Sequence, residues 1–430
     1  MIKSVTIRNF RSVEDQTIDL APLTFLYGNN AAGKSSLFYA LNVLRNVVFN
    51  PNQTLDSFFN LGFANLGSFR QIVFKHEEER AVSISISTAI ENIDITYGVK
   101  LHQKKGEFFL ELGKPYSLKL DLPVTFPYPL NGNVQGSITL GENLYNVSWN
   151  GVVGQVTPGT VTDETNRQAR TIALVINKAA ELIRLVDLVP LKRGFSKPYY
   201  SPVSVNQFPI TEDEVASMLI TDEYLDGKVN TYLEQIIERQ FRLKTQTGTA
   251  LVALTTIEKD SKITTDIVND GFGINQLVYL LAKILHKGAQ TLCIEEPEVN
   301  LHPGIIRRLP RTFIEVVKDE NRQVLISTHS ETLIISVLSA IARKDITPTD
   351  IAFYLTTRTK GVTSFNKQEI SEDGRVESGL ASFITGELDD IKAFFKSTKP
   401  ARVKKGVTTP DIAIAPKEEG KPQNETPNLQ

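Results

Sequence analysis

The sequence predicts an α/β fold in which a parallel sheet carries helices and stands beside a separate antiparallel β lobe. Three observations support this fold class. Residues 273–327 alternate between helical and strand patterns, which is typical of a parallel sheet. Residues 81–155 are rich in Ile, Val, Thr, Tyr and Phe in short runs split by Gly, Pro and Asn, as antiparallel strands are. Residues 163–186 and 212–240 have helical spacing.

The composition indicates a folded chain that can bury a substantial core. A length of 430 residues with 41% hydrophobic content is compatible with one large or two to three ordinary domains. The single cysteine, Cys293, lies in an apolar run, so no disulfide framework or cysteine zinc site is expected. No stretch approaches 18 apolar residues and no leader pattern is present, so we expect a cytoplasmic protein without a membrane partner. A formal charge of -2 gives no global attraction to nucleic acid.

The strand and helix patterns are distributed at both ends of the chain. Residues 2–7 and 17–26 alternate like strands, and the second leads into a glycine-rich loop that is followed by a helical pattern over 36–48. In the last third we expect helices over 273–285 and 303–317 and strands over 291–294 and 323–327.

These patterns divide the chain into four predicted parts. Residues 1–160 contain the glycine loop and the β lobe, and residues 161–245 form a helical insertion that we expect to be a short arm. Residues 246–398 complete the parallel sheet. Residues 399–430 contain five prolines and no aromatic residue, so we expect a disordered tail.

The glycine loop matches the pattern GxxxxGK[ST] through Gly28, Gly33, Lys34 and Ser35. The glycines let backbone N–H groups turn inward around a phosphate, and the following helix adds the positive end of its dipole. Lys34 would reach the β- and γ-phosphate oxygens, and the Ser35 hydroxyl would bind Mg²⁺. The loop therefore predicts a site for ATP with Mg²⁺.

Carboxylates follow a second buried strand, at the sequence TLCIEEPE. We assign Glu295 to the Mg²⁺ ion and Glu296 to polarising the water that attacks the phosphate. The next strand ends at Thr328, and His329 directly after it is a candidate for contact with the γ-phosphate or its attacking water. Because open α/β sheets collect ligands at the carboxyl ends of their strands, these residues are expected to meet the loop.

The order of these motifs resembles the ABC-type ATPase head. More closely, it resembles AAA-type ATPases related to the overcoming-lysogenization-defect (OLD) family and, more distantly, SMC-type DNA-repair ATPases. The resemblance covers most of residues 1–395, and the segments that carry it are IRNFRSVED, GNNAAGKSSLFYAL, NLGSFRQIVF, VPLKRGF, NDGFGINQLVYLL, LCIEEPEVNLHP and VLISTHSETLI.

The resemblance implies a role for each matching residue. Glu295 and Glu296 match Walker B, His329 matches the switch histidine, and Gln71 stands where such proteins place a Q-loop residue that senses Mg²⁺. The Walker A site would comprise Gly28, Asn29, Asn30, Ala31, Ala32, Gly33, Lys34, Ser35 and Ser36.

Residues 270–276, DGFGINQ, stand at the position of the ABC signature motif and are called the signature segment. They lack the usual Ser-Gly-Gly core of that motif. The resemblance implies that this segment, through Gly271, Gly273 and Asn275, caps the ATP bound by an opposite subunit. The active unit would then be at least a dimer that sandwiches ATP.

The favoured hypothesis is an ATPase that senses or regulates a partner effector in bacterial anti-phage defence. Stand-alone heads of this type resemble the ATPase subunits of PARIS-type systems, which hold a Toprim nuclease until a phage protein triggers release. The pattern of residues 331–398 predicts only a strand and a helix at the end of the ATPase head, so we expect any nuclease to be a separate chain.

Two alternatives come from other classes. An SMC-like DNA-repair or DNA-end-binding ATPase would act on duplex DNA directly, and basic residues that would face DNA are Lys192, Arg193, Arg307, Arg308 and Arg311. A transporter head is disfavoured because the insertion of residues 81–240 and the unusual signature do not suit it.

Overall fold

The computed structural model describes residues 1–129 and 132–376, which belong to one compact unit. The predicted tail of residues 399–430, and the last part of the predicted segment 246–398, lie outside the described residues. Within the described part, no helix is both long enough and apolar enough to cross a membrane.

The N-terminal segment forms three strands before the first helix. The strand pattern predicted over 17–26 is interrupted at Ala21 and Pro22, where the chain turns and the Ala21 N–H donates to the Thr24 hydroxyl at 3.0 Å. The elements are β1 Ser4–Phe10, β2 Val13–Asp19, β3 Leu23–Tyr27, α1 Ser35–Phe49 and the one-turn α2 Phe69–Ile72.

The β lobe consists of two antiparallel sheets, as the sequence predicts. Its strands are β4 Val82–Ile90, β5 Ile93–Leu101, β6 Lys105–Leu112, β7 Lys119–Thr125, β8 Val134–Leu140, β9 Asn143–Trp149 and β10 Gly154–Pro158. One sheet has the order β2-β1-β4-β5-β6-β7 and the other β10-β9-β8. Alternation along β5 explains its position, because Ile95, Tyr97 and Val99 are buried while Asp94 on the other face is exposed.

The middle of the chain contains more strands than the sequence pattern indicates. Its elements are α3 Asp163–Arg184, β11 Val186–Val189, α4 Glu212–Thr221, α5 Glu223–Ile237, β12 Arg239–Thr245, β13 Val252–Glu258 and β14 Thr264–Asp266. Strands β12, β13 and β14 form a third antiparallel sheet. The predicted helix over 212–240 is two helices, because the Asp222 side chain caps the second one by accepting the N–H groups of Tyr224 and Leu225.

The last third alternates helix and strand as predicted. Its elements are α6 Phe272–Leu285, β15 Thr291–Glu295, α7 Pro303–Ile306, α8 Leu309–Asp319, β16 Gln323–Thr328, α9 Glu331–Ala342, β17 Ile351–Thr359 and β18 Val362–Gln368. The helix predicted over 303–317 is divided, because Pro310 lies in the first turn of α8 and has no N–H to continue α7.

The central sheet has the order β11-β15-β16-β3-β17-β18 and is parallel except for the final hairpin. It separates two hydrophobic cores. Cys293 and Leu325 contribute to the core shared with α1, α3 and the β lobe, whereas Leu292 and Ile294 pack with α4, α5, α6, α8 and α9. Strands β3, β15 and β16 are buried along their whole length, which explains their continuous apolar sequences.

The predicted arm of paired helices is wrong. Helix α3 packs against α1 and β10, while α4 and α5 pack against α6 in the other core. The apolar residues of α3, such as Ile172 and Ile183, are buried against the β lobe side of the sheet. An amphipathic helix buries its apolar stripe on the nearest partner, and here the sheet supplies that partner.

Candidate functional site

The register of the central sheet brings the predicted motifs to one edge. Glu295 of β15 pairs with Ser327 of β16, and Ser327 pairs with Leu26 of β3. Thr328 pairs with Tyr27, the residue directly before the glycine loop. The carboxyl ends of three adjacent parallel strands therefore present the loop, the carboxylates and His329 side by side.

The glycine loop is folded around the side chain of Lys34. The Lys34 ammonium donates to the carbonyl oxygens of Gly28 at 2.9 Å and Asn29 at 3.1 Å. Burial lowers the pKa of Lys34, and the carboxylates of Glu296 and Glu298 act in the opposite direction. The ammonium is thus held under the loop by carbonyl oxygens, where it can exchange these partners for phosphate oxygens.

The loop lies against the hairpin of β17 and β18. Gly28 and Gly33 have φ angles of 144° and 104°, and a Cβ on either would collide with the hairpin, at the Thr356 carbonyl or the Thr363 side chain. The Thr363 hydroxyl donates to the Ala32 carbonyl at 2.8 Å. Glycine is required at both positions for its left-handed conformation and for close approach.

Two of the three predicted Mg²⁺ ligands, Ser35 and Glu295, meet at the hydroxyl of Tyr39. This hydroxyl lies 3.4 Å from Glu295 Oε2 and hydrogen-bonds with the Ser35 side chain. Burial raises the pKa of Tyr39 to about 12, so its proton remains in place. A serine hydroxyl and a carboxylate beside each other are oxygen ligands of the kind that Mg²⁺ prefers, so the residues fit the ion. Tyr39 was not predicted, because its helical position resembles an ordinary core position.

Glu296 and His329 lie beside each other at the carboxyl edge of the central sheet, directly after β15 and β16. The Glu296 carboxylate lies 3.2 Å from His329 Nδ1, and the histidine side chain is 46% exposed. Glu296 has a left-handed φ of 41°, and its N–H donates to the Ser327 carbonyl at 2.9 Å. A non-glycine residue in this region is strained and occurs preferentially at functional sites.

Glu298 is a buried carboxylate that the sequence did not single out. Its Oε1 accepts hydrogen bonds from the Thr328 hydroxyl and from the His329 N–H, the latter at 3.1 Å. Its Oε2 is buried without a hydrogen-bond partner among the described residues. Burial raises the pKa of Glu298, and the bond from Thr328 opposes this effect.

Arg193 was predicted to face DNA, and the structure contradicts this. The side chain is buried behind the carboxylates, where one nitrogen donates to the carbonyl of Glu295 and another to that of Glu296, each at 2.7 Å. It also donates to the Pro190 carbonyl at 3.1 Å. Burial lowers the pKa of Arg193 to about 10, against the pull of the carboxylates led by Glu298.

Two further arginines stand beside the loop. Arg11 and Arg358 line a cavity of about 240 Å³ together with Ser12, Glu296 and the loop residues 30–36. Arg358 also lines the neighbouring cavity against residues 28–32. Two cations at the mouth of a loop rich in backbone N–H groups make this edge suitable for a polyanion.

The signature segment forms a turn before α6, and the side chain of its asparagine is hydrogen-bonded within the protein. Asn275 is buried, and its side chain accepts the Phe195 N–H at 2.7 Å and donates to the Phe195 carbonyl at 2.8 Å. Its role in nucleotide binding stays a prediction. Gly271 has a φ of 81° in open space, Gly273 lies directly against the Asn300 carbonyl, and Phe272 between them is 79% exposed.

Gln71 is engaged at the start of its own helix. Its Oε1 accepts the Ser68 N–H at 2.7 Å in a capping box, and the residue is exposed. Its role as a Mg²⁺ ligand stays a prediction.

Two of the four other basic residues that would face DNA are engaged within the protein. Arg311 pairs with Glu315 at 2.7 Å, and Arg308 donates to the Ile236 carbonyl at 2.7 Å. Lys192 and Arg307 are exposed.

Comparison with known proteins identifies the family. The profile of the AAA ATPase domain matches residues 1–122 and 206–334, which is more than half of the chain. The chain belongs to the AAA ATPase domain family. The resemblance to OLD-related ATPases is also confirmed by similar proteins, whereas the resemblance to PARIS-type subunits stays a prediction.

Two relatives of this AAA ATPase domain protein are similar along most of the chain. The ATP/GTP phosphatase of Helicobacter pylori (strain ATCC 700392 / 26695) is 24% identical over 356 residues, covering 80% of this chain and 90% of the relative. The Old nuclease of Escherichia phage P2 is 23% identical over 355 residues, covering 77% of this chain. The alignment spans 57% of that nuclease.

Solved structures show a distant similarity of the AAA ATPase domain protein to SMC heads. The SMC head domain from Thermotoga maritima has a TM-score of 0.42 at 11% identity, covering 86% of this chain and 99% of that one. An SmcHead bound to the C-winged helix domain of ScpA has a TM-score of 0.46 at 11% identity, covering 86% and 98%. At these scores the similarity concerns the general fold and says nothing about activity.

Proposed function

We propose that the protein binds ATP with Mg²⁺ at the loop and hydrolyses it. The loop N–H groups and Lys34 would hold the phosphates, and Ser35 and Glu295 would hold Mg²⁺, which supplies charge neutralisation at the phosphates when bound. Glu296 accepts a proton from the attacking water as its oxygen bonds to the γ-phosphorus and the bond to the ADP oxygen breaks.

The observation that carries this proposal is the contact between Glu296 and His329 beside the loop. A carboxylate at 3.2 Å from an exposed imidazole gives a base and a second polar group that can orient one water. The register of β15, β16 and β3 supports the proposal, because it places both groups next to the phosphate loop.

The test is the variant Glu296→Gln. We expect this variant to bind ATP with unchanged affinity, because the amide keeps the size of the side chain, while turnover falls by about 100- to 1,000-fold. Turnover of purified protein and the Kd for ATP are the two measurements. Glu315→Gln, at a partly exposed glutamate of α8, serves as the matched control with full activity. Normal turnover in Glu296→Gln would refute the assignment of the base.

We further propose that two copies sandwich ATP, each offering its signature segment to the nucleotide of the other. Phe272 supports this proposal, because at 79% it is the most exposed of the large apolar side chains in the described part of the chain, and a contact would bury its ring. Hydrolysis would then be slow in the isolated monomer and coupled to assembly.

The physiological role that we propose is control of a separate Toprim-type nuclease in anti-phage defence, with a phage protein as trigger. Support comes from the similarity of this chain to part of a phage-encoded protein named a nuclease. Co-expression with the product of the neighbouring gene, followed by size-exclusion chromatography with ATP, tests it. Co-elution is expected, and clean separation would contradict it.

Direct action on duplex DNA has less support. Arg193 is buried and Arg311 is paired with a carboxylate, so two of the basic residues proposed to face DNA do not offer a free charge. An ATPase rate that rises with duplex DNA, together with salt-dependent binding, would favour this alternative instead.

A further inference from the structure

A buried arginine, Arg193, and a buried glutamate, Glu298, lie behind the carboxyl ends of β15 and β16. Arg193 lies behind the turn that carries Glu296, and Glu298 lies behind His329. Neither of these buried residues touches solvent appreciably, and neither belongs to the loop that would hold the phosphates.

Arg193 fixes the backbone on both sides of Glu296. The Glu295 carbonyl belongs to the peptide group before Glu296, and the Glu296 carbonyl belongs to the peptide group after it. One guanidinium binds both carbonyls at 2.7 Å, so it constrains the φ and ψ angles of the residue between them. This constraint matters because Glu296 has the strained φ of 41°.

Glu298 fixes the partner of Glu296. Its Oε1 accepts the His329 N–H at 3.1 Å and the hydroxyl of Thr328, the last residue of β16. The position of the imidazole at the start of the loop after β16 therefore depends on this carboxylate.

The two charges also act on each other, because Glu298 is the carboxylate that most strongly opposes the lowering of the Arg193 pKa by burial. Arg193 Nε and Glu298 Oε2 are both buried without a hydrogen-bond partner in the described part of the chain. Opposite charges attract each other more strongly in the low-dielectric interior of a protein than at its surface. Removing one of them leaves the other as an uncompensated buried charge.

We propose that Arg193 and Glu298 are positioning residues that act as one buried electrostatic unit and hold Glu296 and His329 in register for hydrolysis. The inference rests on the proposed ATPase function. It concerns the turnover step and not the binding of ATP, because neither residue lines the cavities beside the loop.

The first experiment compares Arg193→Lys with Arg322→Lys. Arg322 is a matched control, because it is also buried and binds backbone carbonyls, those of Ala289 and Ile284, but at the amino end of β16. A lysine cannot bind two carbonyls in the fixed fork of a guanidinium. We expect Arg193→Lys to lower kcat by about 10- to 100-fold with the KM for ATP changed less than about threefold. Arg322→Lys should lower the melting temperature only.

The second experiment is a cycle of Arg193→Gln, Glu298→Gln and the double variant, read as kcat. If the two residues act as one unit, the fold decrease in kcat of the double variant should be smaller than the product of the two single decreases. The reason is that the double variant no longer contains an unpaired buried charge. Losses that multiply would overturn the coupling. If the neutral variants do not fold, the kcat and KM values of Arg193→Lys decide.

The inference and the ATPase proposal fail in different ways. Absence of turnover in the wild type would overturn the proposed ATPase, and full turnover in Glu296→Gln would overturn the assignment of the base. If both behave as expected but Arg193→Lys has the same kcat as Arg322→Lys, the positioning role is overturned.

Discussion

The loop of residues 28–36 and the signature segment of residues 270–276 are both glycine-containing turns at the start of a helix, yet they differ in what surrounds them. The loop is enclosed by the hairpin of β17 and β18 and folds around Lys34. The signature segment presents Phe272 outward and has open space at Gly271. The loop is thus enclosed by its own chain, whereas the signature segment is open to solvent at its first two residues after Asp270.

The same contrast appears in how each turn uses its polar side chains. In the loop, the Lys34 ammonium faces carbonyl oxygens that a phosphate can replace. In the signature segment, the polar side chains contact other residues of the same chain. Asn275 is hydrogen-bonded to the backbone of Phe195, and Asp270 forms an ion pair with Arg239 at 2.9 Å. Similar sequence features therefore serve binding in one turn and rigidity in the other.

The largest effect is expected at Lys34. Lys34→Ala removes the only side-chain charge that the loop itself contributes, so the affinity for ATP should fall by at least about 100-fold. Titration calorimetry with ATP and Mg²⁺ measures it, with the exposed Lys192→Ala as control. An affinity within about threefold of wild type would show that the loop does not bind phosphate through this residue.

A smaller effect is expected at Phe272, and on a different property. Phe272→Asp should weaken ATP-dependent dimerisation by about 30-fold, because each of the two contacts would lose a buried ring and gain a charge. The affinity of the monomer for ATP should not change. Sedimentation velocity of the Glu296→Gln protein, with and without the Phe272 substitution, measures the dimer. Unchanged dimerisation would remove the signature segment from the interface.

The smallest effects compare the glycines of the two turns. Gly33→Ala should lower the affinity for ATP about tenfold, because the new methyl group collides with Thr363 and shifts the loop. Gly271→Ala has room for its methyl group and should cost about 1–3 kcal/mol of stability, because a φ of 81° with a ψ of 148° is populated readily only by glycine, without a change in ATP affinity. Equal losses of affinity in the two variants would contradict the contrast between the turns.

The parts of the site that could be predicted are those whose residues are close together in the sequence. The loop and the Glu295–Glu296 pair carry their chemistry in local spacing, and an alternating pattern of helix and strand is sufficient to place them at one sheet edge. His329 followed from the same rule, because it stands directly after a strand of that sheet.

The parts that could not be predicted depend on contacts between distant segments. The contacts of Arg193 with Glu295 and Glu296 join residues about one hundred positions apart, and nothing local distinguishes this arginine from a surface one. Its presence in the segment VPLKRGF, which contributed to the family resemblance, was the available signal. The contact between Asn275 and Phe195, 80 positions away, could not be predicted for the same reason.

The hairpin that shapes the loop has a consequence for the synthesis of the chain. Thr363, which donates to Ala32, follows it by 331 positions. At translation rates of roughly 5–20 residues per second, the ribosome releases the loop roughly 20–70 s before the hairpin that supports it. The loop can therefore take its final shape only after residue 363 has been synthesised, and bound nucleotide can stabilise the nascent chain only from that point on.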